Sequence, residues 1–163
     1  MESDAAWLPF VITWQASGVI PDLSLTHLKA GDLKRYPTTL KTYESAGFVN
    51  EHPRWENHSG LGFFTSSIDL PEPMELEAFL GYDGPIRMWI DEKPFIADLS
   101  GTNPCVPDQS RKKVRLSKGR HSLRVTMNLN DGLARGFFLR FKRCDVSRTL
   151  IASGEFAKPV YSA

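Results

Sequence analysis

The chain has 163 residues, 41% of them hydrophobic and 24% charged, with a formal net charge of +1. That length suits one domain with a real hydrophobic core and leaves little room for two. The near-neutral balance excludes strong global attraction to nucleic acid or anionic lipid, and no apolar run is long enough to span a membrane.

The N-terminal MESDAAWLPFVITW is acidic and lacks a basic stretch before its apolar run, so no signal-peptide pattern is present. A fragment of a secreted protein would read the same way, and localisation stays open. Leu8–Trp14 reads as one edge or entry strand. The next segment, to Lys41, is less regular and is punctuated by Pro21 and Pro37, with DLSLTHL as a short helix or a turn. Tyr36, Tyr43, Phe48 and Trp55 follow in a polar background, and YESAGFVNEHPRWENHSG reads as a wrap around a sandwich edge. The expected organisation is one β-sandwich domain over 1–163, with 1–59 as entry strand and wrapping segment.

Gly62–Leu70 reads as a strand that stops before Pro-Glu-Pro. In the next, Met74, Leu76, Ala78 and Leu80 share one face, opposite Glu75, Glu77 and Phe79. The Asp83-Gly84-Pro85 turn leads to a strand with Ile86, Met88 and Ile90 inward and Trp89 outward. Asp91–Pro94 reads as a hairpin turn into Phe95–Ala97, and a long loop spans Asp98–Lys113. Val114 and Leu116 begin a strand that turns at Ser117–Arg120. Leu123, Val125, Met127 and Leu129 then alternate with polar residues, the cleanest strand pattern in the chain. After NLNDGLARG, Phe137, Leu139 and Phe141 face away from Phe138, Arg140 and Lys142. Short alternating strands without a long amphipathic helix predict an all-β fold, an antiparallel β-sandwich or jelly roll.

Two segments, GYDGPIRMWIDEKPF (81–95) and TNPCVPDQSRKKVRLSKGRHSLRVTMNLNDGLARGFFLRF (102–141), carry a resemblance. A turn containing Asp-Gly follows one strand. Leu116, Gly119, His121, Leu123 and Val125 later form an L-x-x-G-x-H-x-L-x-V run, and a glycine-containing loop leads to an aromatic last strand. This pattern resembles the galactose-binding-like β-sandwich domains, or carbohydrate-binding modules, of bacterial polysaccharide-degrading enzymes. The resemblance covers roughly residues 60–143. Asp91-Glu92-Lys93 stands where many relatives have an Asp-Gly turn. The resemblance implies the fold and a lectin-like accessory role.

A sugar site needs an aromatic face for the pyranose C–H surface and planar polar groups for its hydroxyls. Candidates on the loops are Trp55, Tyr82, Asp83, Asn103, Asn130, Asp131 and Arg135. Asp83, Asn130 and Asp131 are equally ordinary turn formers. Arg135, between Ala134 and Gly136, suits a carboxylate-bearing sugar through a bidentate pair. From Cys105 to Leu150, twelve Lys or Arg face three Asp. If they converge, an acidic polysaccharide is a fitting partner; if they pair with acids of the first half, they are solvated strand faces.

No GxSxG, HExxH, P-loop or dinucleotide-binding pattern is present. Nothing sets two carboxylates across a cleft, so an enzyme of sandwich fold ranks behind a binding domain. A structural or protein-interaction domain of a larger protein or oligomer, next to a catalytic neighbour or to itself, is the main rival. Nucleic acid is disfavoured because the late aromatics alternate as buried residues. No cofactor is expected. Structural calcium is a candidate ion, with Asp69, Glu72, Glu75 and Asp145 as oxygen donors. Cys105 and Cys144 lie 39 residues apart without a zinc-binding pattern, and their pairing is open.

Overall fold

The computed structural model describes residues 7–163; residues 1–6 lie outside the described part. Two antiparallel sheets stack as a β-sandwich. The smaller has five strands: β1 (Trp7–Phe10), β4 (Val49–Asn50), β6 (Met74–Tyr82), β9 (Ser110–Leu116) and β11 (Gly136–Arg143). The larger has seven: β2 (Thr13–Ser17), β3 (Thr38–Thr42), β5 (Leu61–Leu70), β7 (Ile86–Ile90), β8 (Lys93–Asp98), β10 (Gly119–Asn128) and β12 (Val160–Ser162). The helical pieces are short, with α1 at His52–Trp55 and α2 at Arg148–Ser153.

Strand alternation sets the core. Leu76, Ala78 and Leu80 of β6 and Phe137, Leu139 and Phe141 of β11 meet Leu123, Val125 and Met127 of β10 and Ile86, Met88 and Ile90 of β7. Trp14, Phe64 and Phe137 pack edge to face within this layer. Complete burial of such side chains is the main stabilising term, worth about 1.5–3 kcal/mol for each large apolar group.

The expected single strand over Leu8–Trp14 is two strands in different sheets. The chain changes sheet at Val11 and Ile12, whose backbone groups bond Leu139 O and Tyr43 N. The predicted long loop is shorter than expected, because Ser110–Lys113 already pair with β6. Those basic residues sit on an edge strand, where an alternating apolar pattern is not required. DLSLTHL forms turns rather than a helix. It belongs to a second apolar layer, in which Ile20, Leu25, Leu28 and Leu33 cover Phe63 and Trp89 on the outer side of the large sheet. Arg87 donates to the Leu25 and Leu28 carbonyls and Arg124 to that of Ala30, which fastens this segment down. Arg124, a member of the basic half, is thus spent on a carbonyl. Trp89 lies under Arg87, 4.5 Å from ring centroid to guanidinium carbon.

The β7–β8 hairpin turns at Asp91 and Glu92, both with positive φ (52° and 63°). Asp91 also anchors β10: its carboxylate accepts from Ser122 N at 3.0 Å and meets His121 Nδ1 at 2.6 Å, while His121 Nε2 faces Ser117 O at 2.8 Å. Burial alone would push the imidazole pKa down. The Asp91 and Ser117 hydrogen bonds outweigh it and hold the pKa above its usual value. A raised folded-state pKa gives stability that is complete below about pH 6.5, the unfolded value, and is lost as pH rises through the folded value. The stability of His121→Asn is therefore expected to lack the decline that the native protein shows above about pH 6.5. Urea denaturation of both proteins across that range checks this. Parallel pH curves would show that His121 does not carry it.

Two of the four candidate calcium donors are engaged with a cation. Glu72 and Asp145 converge on the buried Arg143 guanidinium, at 2.7 and 2.8 Å. Arg143 also donates to Ala157 O, tying β11 to the C-terminal segment. Asp69 lies within β5, between β10 and β12. Among the described residues no group of three or more His, Cys, Asp or Glu is placed to hold a metal ion. Cys105 and Cys144 are both free thiols.

Candidate functional site

The β6–β7 turn, the loop between β8 and β9 and the loop between β10 and β11 meet at one end of the sandwich. With the segment from Phe48 to His52 they enclose a cavity of about 590 Å³. That is within the range of small-molecule sites. Phe48 and Phe138 stack with centroids 5.0 Å apart and form an apolar wall. Pro104, Cys105 and Leu133 extend it, and His52, Asp83, Asn103 and Arg135 supply polar groups.

Strand alternation sets this wall. Phe137, Leu139 and Phe141 point into the core, so Phe138 points to the outer side of the small sheet. Phe10 meets Phe138 there at 5.7 Å. Farther along, Arg140 lies over the rings of Trp7 and Phe10, at 3.9 and 4.8 Å, and is paired with Asp108. Those two rings are thus covered by a cation.

Asp83 is 1% exposed. Its carboxylate accepts from Arg135 N at 2.9 Å and Gly136 N at 3.2 Å. Burial raises its pKa, and the two backbone N–H groups and the Arg135 charge act against that. Asp83 is therefore a brace for the loop, with its oxygens already committed. Glu51 N donates to Arg135 O at 2.7 Å, so the Arg135 backbone is clamped from both sides. Glu51 is itself buried and held by Tyr43, Arg54 and Lys41.

The Arg135 guanidinium is exposed, lines the cavity and makes no hydrogen bond or ion pair with the described residues. Asn103 donates from Nδ2 to Leu133 O at 3.2 Å. Its amide oxygen remains an acceptor. Cys105 is not an activated nucleophile: burial and Asp83 push its thiol up to about 12.

Three of the seven residues expected at a sugar site therefore line one cavity: Asp83, Asn103 and Arg135. Trp55 does not. It is 1% exposed, and its ring packs against Gly62, where an added Cβ would come within 2.9 Å of it. Polar neighbours in sequence concealed this, because α1 turns the indole inward. Tyr82 is also buried, as the last inward residue of β6, and its hydroxyl meets Asp98 and Ser110 at 2.6 Å each. Burial and the Asp98 carboxylate raise its pKa to about 12. Neither ring offers a face for stacking. Asn130 and Asp131 take left-handed backbone angles (φ 50° and 53°), and Asp131 accepts from Ser59 Oγ at 2.8 Å. They shape the loop before Gly132 without lining the cavity.

Phe48, Phe138, His52 and Leu133 were absent from the expected site. The legible signal was Phe138, an outward phenylalanine between outward Arg140 and a glycine. Phe48 and His52 come from the wrapping segment, and no local pattern places them beside β11.

No family model matches the sequence, and no curated protein matches it. Among solved structures the fold is similar to part of a β-glucosidase from Kluyveromyces marxianus: TM-score 0.58, 11% identity, 94% of this chain and 20% of that one. It is also similar to an anti-sigma factor domain-containing protein from Clostridium clariflavum: TM-score 0.51, 14% identity, 85% and 43%. A Faecalibacterium prausnitzii β-glucuronidase gives a TM-score of 0.50 at 12% identity, covering 78% and 22%. The chain thus spans about a fifth of the length of the β-glucosidase chain. At these identities the likeness establishes the fold class alone, an antiparallel β-sandwich.

Proposed function

We propose that this chain is a noncatalytic carbohydrate-binding β-sandwich that takes an oligo- or polysaccharide into the cavity beside Phe138 and Arg135. The observation that carries the reading is the convergence of an aromatic wall with a guanidinium and an amide oxygen that have no hydrogen-bond partner among the described residues. Sugars need this mixture, because each ring has apolar C–H faces and a polar hydroxyl rim. The similarity to parts of a β-glucosidase and a β-glucuronidase agrees with an accessory role toward glycans.

Hydrolysis by paired carboxylates is disfavoured. Among the described residues lining the cavity, Asp83 is the one carboxylate, and it is braced to backbone N–H groups. The second reading is a structural or protein-interaction domain of a larger protein or oligomer. It draws on the likeness to a fifth of a much longer chain.

The test is a binding screen of the purified protein against neutral and acidic oligosaccharides, with calcium and with EDTA. Binding is expected to persist in EDTA. Asn103→Ala is expected to weaken it about tenfold, the worth of one well-placed hydrogen bond, without changing the circular dichroism spectrum. No binding across the panel would move the reading to the interaction domain.

A further inference from the structure

The cavity's charge arrangement goes further than glycan binding in general. Two oppositely charged side chains line it, Asp83 and Arg135, and they are not equivalent. The Asp83 oxygens are filled by the N–H groups of Arg135 and Gly136. The Arg135 guanidinium is bonded to nothing among the described residues. Its backbone is fixed through N–H to Asp83 and through C=O to Glu51 N. A fixed base carrying an unspent cation at a partly apolar cavity is arranged for an anionic group.

We infer that the cavity's ligand is a glycan bearing a carboxylated sugar, with Arg135 pairing to the carboxylate. This deepens the carbohydrate-binding reading and rests on it. The guanidinium fork matches the two coplanar oxygens of a carboxylate. Asn103 has used its amide N–H on Leu133 O and presents an oxygen, which takes a hydroxyl and repels a second anion. The Asp83 carboxylate, held on the Arg135 backbone N–H at the same cavity, disfavours a dianion such as a phosphate monoester. A uronic acid satisfies all three conditions: one negative charge, neighbouring hydroxyls and an apolar ring face toward Phe138.

The test is isothermal titration with tri-galacturonate and its fully methyl-esterified form, which removes the charge and keeps the rings. A glucuronate-containing trisaccharide and a sulfated galactose trisaccharide form two further arms. A uronate is expected to bind at least tenfold tighter than its uncharged counterpart, with affinity falling as salt rises. Arg135→Gln removes that preference and leaves weak binding of both forms; Arg135→Lys restores part of it. Equal binding of acid and ester, unchanged in Arg135→Gln, overturns the acidic class and leaves the glycan reading standing. Binding of the sulfated sugar alone also overturns it. Binding of no saccharide in any arm removes the glycan reading itself. The Arg135 side chain is exposed and makes no packing bond, so its variants are expected to fold.

Discussion

Gly136→Ala is expected to lower the melting temperature by roughly 6–12 °C and to abolish binding in the cavity. An alanine Cβ there would stand 1.8 Å from the Val49 carbonyl oxygen and 3.2 Å from the Phe48 ring. Neither neighbour gives way cheaply. The Val49 carbonyl is backbone, and β4 pairs with β11 through Gly136 and Phe137. The strand must move away, which strains the Glu51 N to Arg135 O bond and parts the Phe48 and Phe138 rings. Overpacking of a close backbone contact costs about 3 kcal/mol or more. For a domain of this size that amounts to the stated shift. Thermal denaturation followed by circular dichroism measures it. An unchanged melting temperature would show that β4 does not lie against β11 in solution.

Asp83→Ala should destabilise the protein by about 2–4 kcal/mol, because it strands two buried backbone donors at about 1–3 kcal/mol each. Asp83→Asn should cost much less. A single amide oxygen in the place of Oδ1 accepts from both Arg135 N and Gly136 N, as Oδ1 does now. The same variant removes a buried charge. Burial raises the Asp83 pKa above its unfolded value, so the proton-bound form is the one folding favours. That contribution is present below the unfolded carboxylate pKa, near 4, and is lost as pH rises through the folded one. The stability difference between native protein and Asp83→Asn should therefore move against the native protein as pH rises from about 3 toward neutrality. Urea denaturation over that range checks both parts. Equal losses in the alanine and asparagine variants would mean that the hydrogen-bond cap is not what Asp83 supplies.

The brace also explains why Asp83 stood out in the sequence for an incomplete reason. It does sit in a turn and it does line the cavity, yet its oxygens hold the loop that presents Arg135. Arg135 in turn stood out because small residues flank it. The deeper cause is the contact of Gly136 with Val49, which only the neighbouring strand reveals.

Alternation alone determined the sandwich. Residues 74–80, 86–90 and 121–129 bury every second side chain, and strand geometry makes that a local property readable from residue order. The turns at Asp83-Gly84 and Asp91-Glu92 are equally local, since their chemistry lies within a few residues. What surrounds the cavity was decided by tertiary structure. Trp55 and Phe48 lie seven residues apart in one polar segment, and one is buried in the core while the other lines the site. Their fates depend on Gly62 and Phe138, residues of other strands. The basic half is likewise divided by long-range partners: Arg143 to Glu72, Arg140 to Asp108, and Arg124 to the Ala30 carbonyl. Composition counts these charges. Which cation at the cavity is left without a partner among the described residues depends on which groups the fold brings within hydrogen-bond reach, and that choice left Arg135.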